Sequence, residues 1–352
     1  MTHGGDIYFE GGEKVLDFSA NISPLGLPAG VAEAVRRGLE SCGAYPDPLC
    51  RTLRSALAEH CQVEASRIVC GNGAADLIYR IVTALRPGNA LVTAPAFSEY
   101  EKALKERNAE VTHYALDPPY FRLEKAFIQR IRSETDILFL CNPNNPTGVL
   151  IDPSLLQEVS LRCAETGTLL VMDECFNEFL DEPAAHSLKG LLGDMKNLII
   201  LKAFTKVYGM AGFRLGYCLC GSVEVARAIA GAGQAWPVSG IAQIAGLAAL
   251  NERDYVEKLR RLIARERRRM QAELSAMGFE VLGGSANYLF FRVDTAGFDA
   301  GPFYSALLDR GILARNCAGF PGLDNRYCRI AIRTQPENQV LLETLQSMKS
   351  EV

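Results

Sequence analysis

Through the middle of the chain, short apolar and β-branched runs alternate with longer stretches of helical spacing. The runs fall at 67–70, 90–93, 137–141, 168–172, 198–201 and 215–219. Such alternation predicts an α/β domain whose mostly parallel sheet carries helices on both faces, because strands buried on both sides read as continuous apolar runs. Ligands of such sheets bind beyond the carboxyl ends of the strands, so the residues that follow each run are candidates for chemistry.

The pattern changes after Trp236-Pro237-Val238-Ser239-Gly240. A long helix, a strand at 288–293, a helix near 303–309, a strand at 328–332 and a last helix predict a smaller α+β domain. The expected division is 41–240 for the large domain, with 1–40 and 241–352 forming the small one. The first residues, with Pro24, Gly26, Pro28 and Gly30, read as an arm draped over one of them.

Charge narrows the partners. Thirty-seven Lys and Arg against 41 Asp and Glu give a formal net charge of -4, which argues against nucleic acid as a ligand. An anion must then be held by local arginines. The basic run 260–269 shares its segment with apolar residues at helical spacing, from Tyr255 and Leu259 to Met270 and Leu274, and reads as the solvated face of a helix. Eleven cysteines without a C-x-x-C pair form neither a disulfide framework nor a metal site. No signal-peptide pattern opens the chain, and its longest apolar run, 241–250, is interrupted by Gln243, so a cytoplasmic protein with no membrane partner is expected.

Four strand ends carry candidate groups. After the first comes Gly71-Asn72-Gly73-Ala74-Ala75-Asp76 leading into a helix, where backbone N–H groups and the helix dipole favour an anion. The third ends in Cys141-Asn142-Pro143-Asn144-Asn145-Pro146-Thr147-Gly148, a rigid loop that presents amide side chains. The next ends in Asp173, a carboxylate that burial makes costly without a cationic partner. The fifth leads to Lys206, set among Phe204, Val207 and Phe213. Desolvation there lowers the amine's pKa and makes it nucleophilic.

Thr205, Lys206 and Arg214, with glycines at 209, 212 and 216, resemble the lysine signature of the class I/II pyridoxal-phosphate aminotransferases. The N-P-N-N-P-T-G loop and Asp173 follow in the family's order. The resemblance covers nearly the whole chain and implies the type I fold of pyridoxal-phosphate enzymes, working as a homodimer with shared active sites. It makes Lys206 the residue that carries pyridoxal 5'-phosphate as a Schiff base, Asp173 the partner of the ring nitrogen, and Asn145 a donor to the ring oxygen. Gly73, Ala74, Thr205 and Arg214 would hold the cofactor phosphate, Phe97 would stack on the ring, and Tyr45 would be lent by the partner subunit. Arg315 and Arg329 match the family's substrate-anion arginines, with Arg333 in reserve.

Two positions depart from the family pattern. Phe176 stands where many relatives have a tyrosine bonded to the ring oxygen, which leaves that bond to Asn145. Ala203 stands where a serine often contacts the phosphate. His3-Gly4-Gly5, the segment from Asp17 to Gly26, Asp173-Glu174-Cys175-Phe176 and Phe320-Pro321-Gly322-Leu323 resemble the branch of the family that acts on small phosphorylated amino compounds. They imply a phosphorylated amino acid substrate, held also by His3 and Asn21, and a decarboxylation, with transamination or a close substrate homologue as the alternatives.

Overall fold

The computed structural model describes residues 4–9 and 15–351. Thirteen strands follow one another along the chain: β1 Leu16–Asp17, β2 Ile68–Gly71, β3 Asn89–Ala94, β4 Glu110–Ala115, β5 Ile137–Cys141, β6 Leu169–Asp173, β7 Leu198–Ala203, β8 Gly216–Cys220, β9 Glu280–Gly283, β10 Tyr288–Arg292, β11 Ile312–Leu313, β12 Arg315–Asn316 and β13 Tyr327–Ala331. A seven-stranded sheet runs in the order β2-β8-β7-β6-β5-β3-β4. From β7 through β6, β5 and β3 to β4 the strands are parallel, while β8 runs antiparallel to both its neighbours.

The central strands β5, β6 and β7 are almost wholly buried, as two-sided covering requires. One apolar cluster packs on each face of the sheet: Leu138, Leu170 and Ile200 belong to one, Phe139, Val171 and Ile199 to the other. The successive residues of each strand thus divide between two cores, as the two-residue period of a strand dictates.

The six apolar runs all became strands of this sheet, within two residues at each end. The seventh, β4, gave no apolar signal. It is one of the two edge strands, and Glu110, Thr112 and His113 face solvent. An edge strand needs charge more than apolar surface.

A second sheet, β12-β13-β10-β9, is antiparallel throughout. The arm does more than drape. β1 pairs in parallel with β11, and the Ala331 amide bonds the Phe18 carbonyl, tying the arm to the small sheet. The Ser23 amide donates to the Lys206 carbonyl at 2.9 Å, tying it to the large one. The helix Ala29–Gly38 packs against the helix Gly240–Ala249. We propose 41–240 as the large domain, and 1–40 with 241–352 as the small one.

The basic run lies on the helix Arg253–Ala276, and it is not simply a solvated face. Arg260 and Arg267 turn inward: Arg260 bonds the Glu178 carbonyl and carboxylate, and Arg267 the Ser285 and Ala286 carbonyls. No helix among the described residues is long and apolar enough to cross a membrane.

Candidate active site

The carboxyl ends of β5, β6 and β7 open into a cavity of about 440 Å³ that holds Lys206, Asp173 and Asn145. Ala74, Phe97, Thr205, Arg214, Asn21, Arg315 and Arg329 also line it. Segments more than 300 residues apart in the chain therefore meet around one amine. A larger cavity, about 670 Å³, lies beyond a wall formed by Cys175 and Ala203, and none of the candidate residues lines it.

Lys206 lies in a one-turn helix, Phe204–Val207, directly after β7. Burial pushes its amine down from 10.5 to about 8, and the nearby guanidinium groups of Arg329 and Arg214 add to the shift. The surroundings differ from those expected. Phe204 stacks on Tyr208 and, with Val207, lines the larger cavity. The ring that faces the amine is Phe176, its centroid 5.9 Å from Nζ. Gly209 has φ 63°, and a β-carbon there would lie 2.6 Å from the Gly26 carbonyl, so only glycine lets the arm close against the lysine turn.

Asp173, the last residue of β6, is 6% exposed. Its carboxylate accepts from the Tyr100 hydroxyl at 2.5 Å and from the Cys175 amide at 3.0 Å, both neutral donors. A protonated ring nitrogen would supply the positive partner that a buried carboxylate requires. Burial and the Asp173 carboxylate hold the Tyr100 hydroxyl well above the usual phenol range, so it stays a donor.

Tyr100 was missed in the sequence. Its spacing of three residues from Phe97, across the start of a helix, was the available signal, since that places both rings near one strand end. The two rings meet edge to face at 5.7 Å.

The glycine turn behaves as an anion site should. Gly73 opens the helix Gly73–Leu85 with φ 82°, and a β-carbon on it would come within 2.8 Å of Arg214 Nη2. A guanidinium is thereby laid over exposed helix N–H groups. Gly73 itself does not reach the cavity wall; Ala74 does. Arg214 sits in the left-handed region at φ 56°, a conformation that non-glycine residues adopt mainly where function holds them. With Thr205, buried beside Lys206, the set fits a phosphate.

In the N-P-N-N-P-T-G loop, Asn142 and Asn144 brace the backbone. Asn145 faces the cavity, its Oδ1 accepting from Arg329 Nη1. Its amide nitrogen is then the group turned toward a ring oxygen. Phe176 packs edge-on against Tyr288 and brings no polar group.

Arg315 and Arg329 are directly paired across β12 and β13, and each is about 5% exposed. Arg329 Nη2 donates to the Ser19 carbonyl at 2.7 Å, and its Nε has no partner. Its described hydrogen-bond partners are neutral oxygens. Arg315 lies over the Phe320 ring. Asn21 is 2% exposed, and neither polar atom of its side-chain amide has a hydrogen-bond partner among the described residues. Buried polar atoms left in that state mark where a ligand belongs.

Arg333 is not among the residues that line the cavity. It bonds Glu337 and the Asp17 carbonyl, outside the cavity. His3 lies outside the described residues, but Gly4 and Gly5 line the cavity, the Gly5 amide docked on the Ser19 hydroxyl at 2.8 Å. Tyr45 is 81% exposed, stacked on Trp236 at 4.6 Å, and does not line the cavity of its own chain.

Comparison with known proteins agrees with this geometry. The family profile of the class I and II aminotransferases matches residues 13–345. A threonine-phosphate decarboxylase of Salmonella typhimurium is 36% identical over 339 residues, 96% of this chain and 92% of its own. A histidinol-phosphate aminotransferase of Methanothermobacter thermautotrophicus is 32% identical over 338 residues, 95% of this chain and 88% of its own. Among solved structures, the histidinol-phosphate aminotransferase of Clostridium acetobutylicum superposes with a TM-score of 0.90 at 29% identity, over 96% of this chain and 100% of that one. With the type I fold of pyridoxal-phosphate enzymes and pyridoxal 5'-phosphate as its cofactor, the chain belongs to the class I and II aminotransferase family.

Proposed function

We propose that this enzyme decarboxylates L-threonine O-3-phosphate to (R)-1-amino-2-propanol O-2-phosphate, a linker unit of cobalamin biosynthesis, in the cytoplasm. The observation that carries the reading is the pair of buried guanidinium groups, Arg315 and Arg329, facing one cavity beside an Asn21 amide with no partner. Two cations with an idle donor and acceptor suit a small substrate bearing two anionic groups. The 36% identical relative named as a threonine-phosphate decarboxylase supports the same choice.

When bound, the cofactor supplies an electron sink for the pair released at the substrate's Cα. Lys206 holds the cofactor at its reactive carbon, Asp173 keeps the ring-nitrogen proton, and Asn145 donates to the ring oxygen. Ala74, Thr205 and Arg214, with Gly73 behind them, hold the cofactor phosphate, and Phe97 covers the ring face. Arg315, Arg329, Asn21 and His3 then grip the substrate at both anions. A grip on each anion would fix rotation about the substrate's N–Cα bond, and that orientation would select which bond at Cα gives its electron pair to the sink. Held for decarboxylation, the substrate would lose CO₂, and Lys206 is the group that would return a proton to Cα. Tyr45, exposed and away from its own cavity, suits a residue lent to the partner in a homodimer.

A histidinol-phosphate-type aminotransferase is the second reading, favoured by the TM-score of 0.90 to one such enzyme. L-serine O-phosphate is a close substrate alternative, since one methyl group is discriminated by only ~1–3 kcal/mol. Purified holoenzyme with threonine phosphate should release CO₂ and the amine. Predominant formation of 2-oxo acid and pyridoxamine phosphate, or transfer of the amino group to 2-oxoglutarate, would overturn the reading in favour of the aminotransferase.

A further inference from the structure

The larger cavity holds a second buried lysine that the reaction above does not use. Lys202 lies four residues before Lys206, near the end of β7, the strand that leads to it, and is 8% exposed. Its Nζ lies 3.0 Å from Glu174 Oε2, 3.3 Å from Glu178 Oε1 and 3.3 Å from Asn177 Oδ1. An ammonium has three protons to give, and three acceptors surround this one.

Glu174 is the residue after Asp173 and is fully buried. Its second oxygen takes the Leu188 amide at 2.9 Å, and Oε2 also takes the Ser187 hydroxyl at 2.8 Å. Glu178 is bound in turn by Arg260 through both its carbonyl and its carboxylate, each at 2.8 Å. The network therefore runs from β7 through the turn after β6 to the long helix of the C-terminal segment.

Its position matters because the sheet stops there. In the β6–β7 ladder Asp173 is paired with Leu201, and the Glu174 amide makes one further bond to the Leu201 carbonyl. Beyond that point no strand pairing holds the Asp173 side of the cavity at a set distance from the Lys206 side. The Lys202 contacts are what joins the two chain segments next. A buried ionic cluster is a poor device for stability alone, since apolar packing of equal volume does as well or better. What it adds is direction, because each bond fixes an angle as well as a distance.

We propose that Lys202 is a positioning residue for the cofactor apparatus: through Glu174 and Glu178 it ties the turn after Asp173 to β7, the strand that leads into the Lys206 turn. It thereby sets the separation between the ring-nitrogen carboxylate and the reactive amine. The proposal rests on the roles given above to Asp173 and Lys206. The wall between the two cavities, Cys175 and Ala203, is made of the residues that this tie holds in place.

The test uses holoenzyme carrying Lys202→Met, Lys202→Arg or Glu178→Gln. Each is measured for kcat and KM, melting temperature, and the pH titration of the bound cofactor's visible band. At saturating cofactor, Lys202→Met should move the band's titration midpoint by about one pH unit, a tenfold change in its proton equilibrium. Its kcat should fall roughly tenfold or more with KM within about twofold, as misplacement of reacting groups does. Lys202→Arg, which keeps the charge, should recover most of both. Glu178→Gln, at the less buried end of the network, should shift the midpoint in the same direction by less.

A Lys202→Met enzyme with a lower melting temperature but unchanged midpoint and kcat would overturn the proposal and leave the network purely structural. If that variant does not fold, an unchanged midpoint and kcat in Glu178→Gln overturns it equally. Lys206→Ala is the separate control. Retention of the native band there would refute the assignment of Lys206 itself, whatever Lys202 does.

Discussion

The amine of Lys206 is brought from 10.5 to about 8, by burial first and then by the like charges of Arg329 and Arg214. Only the neutral amine attacks a carbonyl. At pH 7 a group of pKa about 8 is neutral in roughly one molecule in eleven, an ordinary lysine in roughly one in three thousand, a gain of roughly 300-fold. The rate at which cofactor-stripped protein captures added pyridoxal phosphate, followed by the growth of its visible band, should therefore rise with pH through a midpoint near 8. Removing the positive neighbour in Arg329→Gln makes the protonated amine easier to keep, so the midpoint should move up. Removing a negative one in Asp173→Asn should move it down, since the Asp173 carboxylate acts in the opposite sense. The same shift bears on folding: from about pH 8 up to the unfolded value the unfolded chain binds the extra proton, so this group's contribution to apoprotein stability improves as pH rises through that window. A capture midpoint near the ordinary lysine value, or variants that move it the wrong way, would refute the account of how Lys206 is activated.

Two further outcomes are expected. Tyr100→Phe removes the hydroxyl that meets Asp173 at 2.5 Å in a fully buried place; it should cost about 1–3 kcal/mol of stability and lower kcat at unchanged cofactor content. Calorimetry and turnover at saturating substrate check this, and a variant equal to the parent in both would remove Tyr100 from the site. Arg315→Ala and Arg329→Ala should each weaken threonine-phosphate binding by roughly 1.5–3 kcal/mol, the worth of a hydrogen bond to a charged group. Free threonine should be a poor substrate even for the parent enzyme, because remote binding energy orients the reacting bond. Titration calorimetry with each variant decides the point, and undiminished affinity would place the substrate anions elsewhere.

Much of the fold was legible because the central strands are buried on both faces, and such strands announce themselves as apolar runs. The same physics hid β4, whose side chains face water, and β11 and β12, which are two residues long and leave no period to read. Lys206 and Asp173 were legible for a related reason. Asp173 closes an apolar strand and Lys206 lies in the turn just after one, so a charged residue there stands out against its neighbours.

The environment of Lys206 was read less well than its identity. Phe204 and Val207 flank it in sequence but belong to the next cavity, whereas Phe176, thirty residues away, faces the amine. Neighbours along a one-turn helix point in different directions. Contacts such as that from Tyr100 to Asp173, or Arg329 to the Ser19 carbonyl, join segments with no shared local pattern. They depend on how the arm and the two sheets close on one another.

Reaction choice belongs to this second kind of information. Asn21, Arg315 and Arg329 come from the arm, a two-residue strand and the middle of the small sheet, and they converge only because β1 pairs with β11 and β12 with β13. The residues proposed to hold the cofactor all lie at or beyond the ends of strands of the large sheet or open its helices. Those that would turn the substrate's carboxylate all lie on the arm and the small sheet. A family can thus keep one electron sink and change which bond breaks by altering the second set alone, since orientation selects the bond. That division explains why the cofactor and the family follow from the strand ends of the large sheet, while on the proposed reading the choice between decarboxylation and transamination would rest on Asn21 and the two arginines.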